Sequence, residues 1–135
     1  MRILITINHP AHVHFFSSMI NDLIKAGYDL KVLATDKENS FKLLDELNIN
    51  YIQIGEHKDT IKMKLFNFVF RWLRIFYLCL KFKPHVAMGI ADFYIAQISK
   101  CLRFYSLIFT DTEHVKHDKF LTFPFASFVL TPECF

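Results

Sequence analysis

Apolar positions along this chain alternate between two spacings, and each spacing predicts a different element. Arg2-Ile3-Leu4-Ile5-Thr6-Ile7 is a short, β-branched run that reads as a strand. Val13, Phe16, Ile20, Leu23 and Ile24 then recur at helical spacing, with Lys25 in the last turn and Gly27 as a stop. Residues 29–34 predict a second strand, 40–47 a short helix burying Phe41, Leu44 and Leu47, and 51–54 a third strand closed by Gly55. A long helical segment follows from about residue 60 to 82 and must stop before Pro84. Residues 85–89 and 105–109 predict strands around a helix over 92–103, and a short helix near 115–121 leads to a last strand at 128–130.

Strands that alternate with helices imply an α/β domain with right-handed crossovers. The expected fold is a Rossmann-like parallel sheet of about six strands with helices on both faces. With the usual order 3-2-1-4-5-6, the crevice lies beyond the C-terminal ends of strands one and four. The loops at that edge are Asn8–His14, Gly89–Asp92 and Thr110–His114.

Composition narrows the classes. The chain has 135 residues, 53% of them hydrophobic, which suits one folded domain and excludes a polar disordered one. A net charge of +3 is too mild to argue for nucleic acid, and none is expected as a partner. Cys79, Cys101 and Cys134 are widely spaced with no CxxC, so reduced thiols in a cytoplasmic setting are expected. The N-terminus enters a strand directly and carries no signal-peptide pattern. Arg71 and Arg74 interrupt the most apolar segment, which argues against a membrane span.

The candidate chemistry clusters in two loops. His9, His12 and His14 follow strand one with Asn8 and Pro10, where a helix N-terminus favours an anion and keeps an imidazole neutral as a base. The bland reading is that one histidine caps the helix while the others are solvated. Thr110, Asp111, Thr112, Glu113 and His114 follow strand five and could bind sugar hydroxyls or move a proton, or simply cap the next helix. Neither loop has the spacing of a metal site such as HExxH, and no metal is expected. No GxGxxG or GxxxxGK[ST] is present, so neither a dinucleotide nor any other cofactor is expected.

A third feature is the long helix. At about 100° per residue, Lys64, Asn67, Arg71, Arg74 and Lys81 share one arc beside a broad aromatic face. Such a helix can lie on an anionic membrane surface, with Phe70, Arg71, Trp72 and Arg74 as contacts. The alternative is a core helix with a solvated basic edge.

Residues 7–16 (INHPAHVHFF), 109–114 (FTDTEH), 121–126 (LTFPFA) and 129–135 (VLTPECF) resemble the family catalogued as domain of unknown function 354. That family is similar to glycosyltransferases of the GT-B architecture and, more distantly, to UDP-N-acetylglucosamine 2-epimerases. The resemblance implies a GT-B N-terminal domain type of fold and the acceptor-side half of a glycosyltransferase-like enzyme. His12 or His14 would then serve as base, with Asp111 or Glu113 orienting the base or the acceptor. Asn8, His9, Thr110, Thr112 and His114 would bind substrate. Family members are about twice this length and often carry Asp where this chain has Thr6. The nucleotide-sugar-binding second domain is therefore expected to be absent from these residues, leaving a truncated chain that is inactive alone. A nucleotide-sugar donor is expected to bind only with that domain, and the acceptor to be a glycan or a lipid-linked group at the inner face of the membrane. The alternatives are half of a 2-epimerase-like enzyme, a non-catalytic remnant, or a membrane-surface interaction module.

Overall fold

The computed structural model describes residues 1–56, 61–110 and 122–131. Among the described residues, six strands and four helices follow in the order β1 (Arg2–Ile7), α1 (Pro10–Lys25), β2 (Asp29–Asp36), α2 (Ser40–Glu46), β3 (Ile52–Glu56), α3 (Ile61–Phe82), β4 (Val86–Ile90), α4 (Phe93–Leu102), β5 (Tyr105–Phe109) and β6 (Phe128–Leu130). Every strand pairs in parallel, in the order β3-β2-β1-β4-β5-β6. The helix expected near 115–121 lies outside the described residues.

Alternation within the strands explains the two cores. Ile3, Ile5 and Ile7 of β1 face Val13, Phe16 and Ile20 of α1, together with Leu44 of α2. The intervening Leu4 faces the other way, where Ile75, Cys79 and Phe82 of α3 and Ile95 and Ile98 of α4 cover the sheet. Both faces of a parallel sheet must be covered, and this sequence supplies two helices to each.

The helix ends are fixed locally. Pro10 occupies the first turn of α1, where its missing N–H costs nothing. His9 precedes it in extended conformation, and its Nδ1 accepts from the Ala11 N–H at 3.1 Å, capping the helix. At the far end Gly27 takes a left-handed φ of 84° and donates to the Ile24 carbonyl. Asp92 caps α4 by accepting from the Ile95 N–H at 3.2 Å. The order β2-β1-β4 makes the gap between β1 and β4 the point where connections leave to opposite faces. α1 departs from β1 to one side and α4 from β4 to the other, opening a crevice at the strand ends.

Candidate functional site

Asp92 sits at the head of this crevice. It is 2% exposed, and several donors converge on its carboxylate. Thr6 Oγ1, on β1, donates to Oδ2 at 2.6 Å; Asn8 Nδ2 donates to the same oxygen at 3.2 Å; the Ile95 N–H holds Oδ1. Burial raises the Asp92 pKa above its ordinary value, and these donors draw it part of the way back.

Asn8 ties the site together. Its Oδ1 accepts from Thr35 Oγ1 at 3.1 Å, at the end of β2, while its Nδ2 serves Asp92. Its backbone N–H donates to His12 Nδ1 at 3.2 Å. A neutral imidazole that accepts at Nδ1 carries its proton on Nε2. This bond occupies Nδ1 of His12, one of the two histidines read as a candidate base. His9 stays at the rim, where it caps α1 and pairs with Glu38 at 3.3 Å. His14 is exposed and lies about 200° around α1 from His12, so the two imidazoles leave opposite sides of the helix.

A cavity of about 230 Å³ opens beside these groups, lined by Asn8, Thr35, Lys37, Arg71, Asp92 and Tyr94 among others. It is smaller than the roughly 300–1,000 Å³ that drug-sized ligands occupy, and suits a small polar moiety. Arg71 reaches it from α3. The Arg71 guanidinium lies 3.0 Å from where a Cβ on Gly55 would stand and 5.9 Å from the Tyr94 ring centroid, and it hydrogen-bonds the Tyr94 hydroxyl. Burial raises the Tyr94 pKa, while Arg71 opposes that rise.

Arg71, read from the sequence as a membrane contact, is half-buried and turns toward the crevice. Gly55 has no side chain, and the space it leaves lets the guanidinium turn inward. Trp72 is likewise half-buried and stacks on Phe76 at 5.1 Å. Phe70 and Arg74 do face solvent.

Thr110 follows β5. Its N–H donates to the Leu130 carbonyl, while its buried hydroxyl has no partner among the described residues. Asp111, Thr112, Glu113 and His114, read as catalytic or binding residues, lie outside the described residues. Cys79 is a core thiol pushed up to about 12 by burial and then by the charge of Asp92, so it is unreactive. No group of three or more His, Cys, Asp or Glu that could hold a metal ion occurs among the described residues. No helix among them is long and apolar enough to cross a membrane.

Asp92, Lys37, Arg71 and Tyr94 were not among the binding or catalytic residues expected from the sequence. An Asp directly before a helical run reads as a cap, and it is one. The available signal was its loop, Gly89–Asp92, at the strand edge that the topology marks.

The fold recurs in solved structures of glycosyltransferases and UDP-GlcNAc 2-epimerases. MurG of Acinetobacter baumannii superposes with a TM-score of 0.75 over 99% of this chain and 42% of its own, at 16% identity. UDP-GlcNAc 2-epimerase from Methanocaldococcus jannaschii superposes with a TM-score of 0.74 over 98% of this chain and 39% of its own, at 18% identity. An uncharacterized protein of the same archaeon is 27% identical over 128 residues, which is 95% of this chain and 38% of that protein. This chain thus spans about two fifths of the length of the proteins it matches. A family profile described as "Protein of unknown function (DUF354)" matches residues 1–135.

Proposed function

The chain belongs to the DUF354 family, and from that premise we propose that it forms the acceptor-side half of a GT-B-like glycosyltransferase. One observation carries the reading. A buried carboxylate, gripped by Thr6 and Asn8, faces a small polar cavity at the switch point of a sheet whose fold is shared with glycosyltransferases.

Glycosyl transfer needs two things from such a site. The acceptor hydroxyl must lose a proton as it attacks the anomeric carbon, and the departing diphosphate must be stabilised. Asp92 is the group in the cavity able to orient that hydroxyl and take its proton, because burial makes it more basic than an ordinary carboxylate. Arg71 and Lys37 supply positive charge at the cavity wall. His12, His14, Asp111, Glu113 and His114 remain candidates for contacts made once donor and acceptor are bound. The nucleotide-sugar donor is held chiefly by protein beyond this domain. The acceptor is a glycan or a lipid-linked group, reached in the cytoplasm at the inner face of the membrane.

A second reading rests on the equally good superposition of the 2-epimerase, with a TM-score of 0.74. An epimerase uses the same crevice without a separate acceptor. Incubating the full-length gene product with a panel of nucleotide sugars, with and without glycan and polyprenyl acceptors, separates the two. Nucleoside diphosphate released only with acceptor, together with a glycosylated product, supports transfer. An epimerised nucleotide sugar formed without acceptor supports the second reading, and turnover of no donor overturns both.

A further inference from the structure

The outer side of α3 has a composition that neither the sheet nor the crevice explains. The helix has 22 residues and is about 33 Å long, whereas β3 and β4 have five residues each and span about 17 Å. Phe68 stacks on Phe93 at 5.4 Å, level with the crevice end of the sheet. The turns before it therefore run on past the strand ends. Ile75, Cys79 and Phe82 bury the inner side.

On the opposite pole Phe66, Phe70, Leu73 and Tyr77 fall within an arc of about 60°, and they are 72, 55, 55 and 61% exposed. A hollow of about 440 Å³ opens between Phe70, Leu73, Arg74 and Tyr77. Lys62, Lys64, Arg74 and Lys81 are exposed on the same helix, which contains no Asp or Glu at all. A soluble surface rarely keeps a contiguous apolar ridge of this kind without a partner.

We propose that this ridge seats the protein on an anionic lipid surface. The rings would enter at headgroup depth, and Arg74, Lys81 and Lys62 would meet lipid phosphates. Charge selects this occupant, since a second copy docked ridge to ridge would set like charges against each other. A domain completing the crevice would meet the strand ends and, of this ridge, only the turns before Phe68; Leu73, Tyr77 and Lys81 lie along the flank of the sheet. The inference stands apart from the catalytic reading, because lipid binding needs neither donor nor acceptor.

Flotation with phosphatidylcholine vesicles of graded phosphatidylglycerol content tests it. The chain should float only with anionic vesicles, and less as salt rises. Arg74→Glu with Lys81→Glu should weaken binding by about 30-fold or more, the loss of two basic contacts. Phe66→Ser with Phe70→Ser should weaken it comparably, and thermal melting should confirm that both pairs fold. Lys25→Glu with Lys42→Glu, on the other face of the sheet, makes the same change in net charge and should leave flotation intact. Failure to float at any composition overturns the proposal, as does equal loss in both charge-reversed pairs. A dimer that buries the ridge and ignores vesicles also overturns it, in favour of a second copy.

Discussion

Thr6 Oγ1 on β1 donates to the Asp92 carboxylate at 2.6 Å, joining two residues 86 positions apart across the sheet's switch point. The bond is short because Gly89 lets the elements close: a Cβ on Gly89 would stand 2.5 Å from Thr6 Oγ1 and 2.8 Å from Asp92 Cβ. Gly89→Ala should therefore destabilise the fold by about 1–3 kcal/mol, the cost of overpacking. Adding Thr6→Ala removes the first clash and leaves the second, so the double variant should recover only part of the loss. Chemical denaturation of the single and double variants reads this out; strictly additive losses would count against a shared contact.

The pH dependence of stability follows from the direction of the Asp92 shift. Its folded pKa lies above 3.8, so the folded chain holds this proton more tightly than the unfolded chain does. The resulting stabilisation is full below the unfolded value and is lost as pH rises through the folded value. Measured by denaturation from about pH 4 upward, the stability of the wild type relative to Asp92→Asn should fall with rising pH. Thr6→Val removes a donor to the carboxylate and should move that fall to higher pH. A difference that rises with pH would contradict the assignment.

Ala91, next to Asp92 in the crevice loop, holds a left-handed φ of 48°. The left-handed region costs a residue with a Cβ about 1–2 kcal/mol, and glycine returns some of that through the unfolded chain. Ala91→Gly should raise stability by roughly 0.5–1 kcal/mol, read as a higher denaturation midpoint. A lower midpoint would mean that the methyl group makes a contact worth more than the strain.

The fold was legible because its signals are local. Ile3, Ile5 and Ile7 alternate with Leu4, Val13, Phe16 and Ile20 keep helical spacing, and right-handed crossovers then leave few strand orders. The edge that carries the crevice followed from that order. The side chains that meet there did not. Asp92 looks like a helix cap in sequence, and what distinguishes it is burial beneath Thr6 and Asn8, contacts that span more than eighty residues. Periodicity gave Arg71 an angle on α3, but not the empty space above Gly55 that draws it inward. The imidazoles drew notice as a cluster, yet a helix sends His12 and His14 to opposite sides.

The chain holds no Gly-rich phosphate loop, and its cavity is small, so nucleotide sugars should bind it poorly on its own. Calorimetry against a panel of nucleotide sugars should show no micromolar binding, which would correspond to about −8 kcal/mol. A micromolar complex would move the donor site into this domain and reverse the division of roles.

If the cavity beside Asp92 receives the hydroxyl-bearing acceptor, saccharides must perturb the residues that line it. A nitrogen-15 NMR titration with a panel of mono- and oligosaccharide acceptors tests it most directly. Shifts centred on the Asn8, Thr35, Ala91 and Tyr94 amides are expected, abolished in Asp92→Asn while the rest of the spectrum is unchanged. Saccharides that leave those amides unmoved at saturating concentration, or that shift them equally in Asp92→Asn, would contradict it.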